Sequence, residues 1–266
     1  MNKYLQVFKI SFAQEFAYKV NFIMWRVRNV IQIFLIFYLW DTIFSEQGRV
    51  LFGYDRSKIL TYVFAILIMK AIVFSSRSID VSGEISQGNL SNYLLKPLSF
   101  FRYWFTRDIA SKFLNIAFSF LEITLLYFLF RPPFFLQANP LVILTFFVSV
   151  ILAIVLYFLL INIFAMMTLW YPDQGWGVSF LLFIFSDFLG GGIFPLDVLP
   201  EYIQSPIYLT PFPYLIFMPI QIYLGKLGTP EIIRTLGISA LWCLFFVGLL
   251  RYIWNTGLKV YKAEGR

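Results

Sequence analysis

From Pro140 to Trp170 the chain runs for about thirty residues without a charged side chain, and about 20 apolar residues already suffice for a helix to cross a bilayer. Other apolar runs near that length lie at 22–44, 59–76, 109–130, 176–193 and 232–254. In hydrocarbon every backbone N–H and C=O must be bonded without help from water, so repeated runs of this kind predict helices. Composition points the same way: 60% of residues are hydrophobic and 13% charged, about half the charge of an average soluble domain. The expectation is an all-α integral membrane protein, a single transmembrane domain over 1–266 with six transmembrane helices. The first run is too long, and too mixed with Arg and Gln, for a cleaved signal peptide.

The run at 140–170 exceeds what the bilayer needs, so it must tilt or project on the inner side. Residues 1–19 read as an amphipathic helix, with Met1, Tyr4, Leu5, Phe8, Phe12 and Phe16 on one side and Asn2, Lys3, Gln6 and Lys9 on the other; Val7, Ile10 and Glu15 blur the pattern. Such a helix lies in the headgroup layer; the plainer alternative is a cytosolic tail. Arg26 and Arg28, early in the first crossing, are expected to snorkel to the headgroups. Arg131-Pro132-Pro133 ends the third crossing, and Tyr171 to Gly175 makes an inner turn. The fifth crossing breaks at Gly190-Gly191-Gly192. Residues 194–229 carry Pro195, Pro200, Pro206, Pro211, Pro213 and Pro219, which no straight helix tolerates. That stretch is expected to be a broken, partly re-entrant hairpin on the outer side, followed by the sixth crossing and a basic tail at 255–266.

Charge orients the bundle. With both termini inside, fourteen of the 21 Lys and Arg residues fall on inner segments and six on outer ones, Lys70 being intramembrane. That is the positive-inside bias, and it accounts for the net charge of +7 without invoking nucleic acid. Cys243 is the one cysteine and there is no histidine. Intrachain disulfides, thiolate metal clusters and imidazole catalysis are therefore excluded.

The longest polar interruption between apolar runs is the connector at 77–108, continuing to Lys112, with five basic and three acidic residues. Within it Leu90 and Leu94 stand one turn apart and Pro97 closes a short helix. An apolar edge presented to water suits insertion into a partner's groove; the alternative is a plain interfacial loop helix. The pattern Glu84-x-x-x-Gly88-x-Leu90-x-x-Tyr93-Leu94-Leu95-Lys96-Pro97-Leu98 resembles the cytoplasmic-loop signature of ABC-2 type permeases, the membrane subunits of ATP-binding-cassette exporters. Later stretches are similar to the small six-helix permeases in order and spacing: Gly191-Gly192, Phe194-Pro195, Leu199-Pro200, Pro211-Phe212, Pro219, Tyr223-Leu224-Gly225 and Gly257-Leu258-Lys259-x-Tyr261.

The resemblance covers essentially the whole chain and implies a type V exporter-like domain in the bacterial inner membrane. It implies an interfacial N-terminal helix, a coupling helix that docks on separate ABC ATPase subunits, and an extracellular helical hairpin containing Gly191, Gly192, Pro195 and Pro200. It also implies a second permease, identical or different, and a minor ATPase contact at Tyr171 to Trp176. The chain has no G-x-x-x-x-G-K-[ST] loop, Gly225-Lys226 being followed by Leu227, so ATP and Mg would be bound by the partner.

Three ionisable residues stand inside apolar runs, where charge is costly and marks function. Lys70 lies about 18 Å along its helix from Lys58, and Glu122 about 13–14 Å from Arg131. These similar depths on antiparallel neighbours predict a Lys70–Glu122 pair, unless Lys70 snorkels inward and Glu122 meets water. Asp187, just before the glycines, either lines the outer pathway or faces an outer vestibule. Two rival functions remain open on the same residues: an ion-coupled secondary transporter relaying through Lys70, Glu122 and Asp187, and a membrane-embedded lipid-modifying enzyme.

Overall fold

In the computed structural model, residues 3–17, 19–46 and 48–261 are described. Met1, Asn2, Lys262 and Arg266, and the side chains of Phe16, Lys19 and Trp176, on which expectations rest, lie outside the described residues. The described residues are helical throughout, with no β-strand. In chain order the helices are α1 (Lys3–Ala17), α2 (Lys19–Ile43), α3 (Arg56–Met69), α4 (Asp80–Ser86), α5 (Leu90–Leu94), α6 (Phe100–Phe130), α7 (Pro140–Met166), α8 (Gly175–Leu189), α9 (Glu201–Tyr208), α10 (Phe217–Tyr223) and α11 (Thr229–Gly257). Among the described residues, four helical stretches are long and apolar enough to span a membrane: Arg56–Phe74, Phe100–Phe130, Pro140–Leu169 and Thr229–Gly257. A shorter apolar helix runs over Gly177–Leu189.

Local signals set the helix ends. Asp55 caps α3, its carboxylate accepting from the Lys58 backbone N–H at 2.7 Å, and Asn139 caps α7 ahead of Pro140; both satisfy amide groups that a helix start leaves unbonded. Arg131 ends α6 in the left-handed region, φ 45°, and the two prolines that follow prevent continuation. α3 does not stop at Met69 but widens into a π-helical turn over Lys70–Phe74.

α3 is deeply buried, with nearly every residue from Ile59 to Leu67 inside the bundle. α7 lies against α11 along Ile232, Thr235, Ser239, Cys243, Phe246 and Leu250 of the latter, a three-four spacing that keeps one stripe facing a neighbouring helix. The opposite face of α11 leaves Ile233, Leu241, Leu244, Phe245 and Tyr252 exposed. α10 is buried between α3 and α7, whereas α9 has no buried residue.

Two expectations about helix boundaries need correction. The third crossing does not begin near Ile109. α6 begins at Phe100, because Phe100, Trp104 and Ala110 bury and carry the helix straight through the charged residues. The amphipathic reading of α1 also misplaced its seam. Ser11 and Glu15 are buried while Leu5 is exposed, because the helix packs lengthwise on α6 and Glu15 pairs with Arg77, just before α4.

Candidate functional site: a connector joined to a polar cavity

The connector folds back on itself. Gly88, φ +76°, ends α4 in the left-handed conformation that glycine adopts without strain, and Asn89 N–H reaches back to the Glu84 carbonyl at 2.9 Å. α5 follows at once. Leu90 is fully buried, but Leu94 is 47% and Leu95 86% exposed. The apolar edge presented to the outside is therefore Leu94-Leu95 and not Leu90-Leu94. A helix of five residues turns its first leucine into the core and its last outward. Tyr93 stacks among Phe100, Tyr103 and Trp104, and the Lys96 ammonium sits 4.8 Å from its ring centre. Burial, with Glu84 nearby, raises the Tyr93 phenol above its usual range.

α1 fastens to both ends of this connector. The Lys3 ammonium donates to the Pro97 carbonyl, and Arg77 forms a two-pronged ion pair with Glu15. That hydrogen bonding raises Arg77's pKa still further, so the guanidinium stays charged at any physiological pH. Asp80 is shifted up by burial, against the pull of Arg77 and Arg107.

Between the connector and α3 lies a joint that the sequence did not single out. Asp108 of α6 accepts from Ser76 Oγ at 2.6 Å and from the Ser78 backbone N–H at 3.0 Å. One turn on, the Lys112 ammonium donates to the carbonyls of Val73 and Ser75, at 3.1 and 2.9 Å. The π-helical turn leaves these carbonyls without helical partners, and Lys112 takes them over. Both side chains are buried. The only hint in the sequence was their spacing of four, which puts them on one helix face.

The intramembrane charges pair, but not as expected. Lys70 does not meet Glu122; it pairs with Asp187 at 2.6 Å. Glu122 pairs instead with Arg26, whose Nε and Nη2 donate at 2.6 and 2.7 Å, with Ser119 and Asn115 completing the guanidinium's bonds. The reason is facing, not depth. Glu122 turns toward α2, while Lys70 sits where the end of α8 approaches. Arg26 consequently does not snorkel, and Asp187 is a buried counterion instead of a wall of an outer pathway. The glycines make that approach possible: a Cβ on Gly192 would lie 2.0 Å from Asp187 Oδ1 and 3.0 Å from Lys70 Cε. Tyr62 holds the same turn by donating to the Gly191 carbonyl at 2.7 Å. Pro195 is buried just before a single turn at Leu196–Val198, and Pro200 is exposed just before α9. Beyond them Asp197 gathers Tyr54 and Lys226. Burial lowers the Lys226 pKa despite Asp197 beside it.

Arg26, Lys70 and the connector share one cavity of about 880 Å³, bounded by α1, α2, the π-helical turn, α4, α6, α7 and α8. No cluster of side chains able to hold a metal occurs among the described residues.

The family described as ABC-2 family transporter protein matches residues 30–265 of this chain. The chain belongs to the ABC-2 transporter family. Among curated proteins none matches it. As an ABC-2 permease it is a multi-pass membrane protein and the transport component of an ABC transporter, not itself catalytic, in a family that generally works with ABC ATPase partners. The match takes in the connector, the cavity's main walls and the proline-rich stretch, while α1 lies before it.

Proposed function

We propose that this chain is the permease subunit of an ATP-driven exporter in a bacterial cytoplasmic membrane, working beside a second permease and two ATPase subunits that bind ATP and Mg. α2, α3, α6, α7, α8 and α11 make the six crossings, with both termini and the connector in the cytoplasm and 194–229 as the outer hairpin. α5 is the coupling helix. Glu84, Gly88, Leu90, Tyr93, Lys96 and Pro97 shape it, Leu94 and Leu95 insert into the ATPase, and Tyr171 to Trp176 gives a second, smaller contact. The observation that carries this reading is continuity. An exposed leucine pair sits on a connector that Arg77–Glu15 ties to α1 and that Asp108 and Lys112 of α6 clasp to the π-helical turn beginning at Lys70, so a push at α5 reaches the membrane interior through bonded groups. Rigid-body rocking of packed helices would then alternate access.

Ion relay through Lys70, Glu122 and Asp187 gains no support, because Glu122 is occupied by Arg26 and the other two by each other.

Replacing Leu94 and Leu95 with aspartate should leave insertion intact and abolish co-purification of the ATPase in mild detergent. Leu90 is unsuitable for this test, since a buried charge there would unfold the connector. A correctly inserted double variant that retained its ATPase and full transport would overturn the proposal.

A further inference from the structure

The cavity wall is electrically polarised. At its membrane end the wall presents Arg26, Arg28 and Lys70, while carboxylates line it only at the connector end, as Glu15, Asp80 and Glu84. Glu122 and Asp187 bond Arg26 and Lys70 but form no part of the wall. Arg77 and Arg107 also reach the connector end, where they face those three carboxylates. Lys70 opens the π-helical turn and Arg77 follows its end, so the lining residues from 70 to 77 lead along the wall from the cationic end to the connector end. Aromatic side chains stand beside the cations: the Arg28 guanidinium lies 5.7 Å from the Phe183 ring centre, and Phe74 stacks on Tyr157.

With Arg26 and Lys70 paired to Glu122 and Asp187, and Glu15 to Arg77, the surplus charge is positive toward Arg28 and negative toward Asp80 and Glu84, Arg107 offsetting one carboxylate. A ligand charge buried unmatched at either end is unfavourable. A molecule with both signs in the right order meets complementary charge at each end. We propose that this cavity binds the headgroup of a zwitterionic phospholipid, its phosphate at the Arg26–Arg28–Lys70 end and its ammonium at the Glu15–Asp80–Glu84 end. In such a lipid the phosphate lies nearer the acyl tails than the amine does, which is the order found here if the connector faces water. The volume falls in the range of roughly 300–1,000 Å³ usual for ligand sites. The proposal rests on the permease reading and names its cargo, or a lipid companion of it, by chemical class.

The test is native mass spectrometry of the intact complex in mild detergent, titrated with phosphatidylethanolamine, phosphatidylglycerol or soluble phosphoethanolamine. Phosphatidylethanolamine should be retained at least about tenfold over phosphatidylglycerol. Arg28→Gln should weaken retention of both lipids, since both carry the phosphate, and Arg28→Lys should keep most of it. Glu84→Gln, at the ammonium end, should erase the preference, as expected when a charge-assisted hydrogen bond is lost. Equal retention of the two lipids, or a preference untouched by Glu84→Gln, overturns the proposal. Displacement of the lipid by equimolar phosphoethanolamine overturns its lipid part and leaves a site for soluble zwitterions. The ATPase is weighed in the same spectra: if it is absent while the lipid preference holds, the docking reading fails and the cavity assignment stands.

Discussion

Lys70 and Asp187 sit 2.6 Å apart with side chains 13% and 12% exposed, so each is the other's main compensation for leaving water. Breaking such a pair from one side strands a buried charge and costs about 3–5 kcal/mol. Lys70→Ala and Asp187→Ala should each lower the thermal unfolding temperature in detergent markedly, and the exchange Lys70→Asp with Asp187→Lys should recover part of the loss. Exchanging Lys70 with Glu122 should recover nothing, which separates the observed pairing from the one that residue depth suggests. The sequence made all three charges conspicuous, because charge inside an apolar run is rare. It did not reveal their partners. Counting residues along a helix gives height, whereas pairing depends on rotation about the axis and on which helices are neighbours. Arg26 was misread for the same reason: its place near a helix start suggests headgroups, and only the packing of α2 on α6 brings Glu122 within reach.

At the scale of elements, the joint made by Asp108 and Lys112 separates two roles that a connector must combine. In the proposed function α5 would hold the ATPase, and the clasp on residues 73–78 would pass its movement to α3. Asp108→Asn and Lys112→Gln should therefore leave ATPase co-purification at the wild-type level while transport per ATP hydrolysed falls about tenfold or more, the loss expected when a buried charged hydrogen bond is removed. Equal losses of association and transport would make the pair merely structural. This joint was barely legible beforehand. Five basic and three acidic residues at 77–112 read as a polar connector holding one short helix, and only burial of Asp108 and Lys112 inside a continuous α6 shows that the next helix begins a good two turns early. The turn chemistry was clearer, since Gly88, Arg131-Pro132 and Asn139-Pro140 each mark a boundary through a backbone constraint that holds whatever the packing.

For the whole molecule, the apolar runs alone dictated a helical membrane protein, since few other structures satisfy so much backbone without water. Orientation is the next thing to check. On a Cys243→Ser background, cysteines placed at Gln87 and Lys259 should react with a membrane-impermeant reagent only in inside-out vesicles, and one at Gln204 only in right-side-out cells; the reverse pattern would invert the bundle. What the linear pattern concealed was the part played by α1, an unremarkable amphipathic stretch lying ahead of the matched region. Because Lys3 is tied to Pro97 and Glu15 to Arg77, that helix closes a triangle over the loop proposed to dock the ATPase. A triangulated bracket resists bending where a bare hook would flex, so under the proposed docking a stroke would arrive at the bundle undiminished, and α1 would set how much of it becomes displacement.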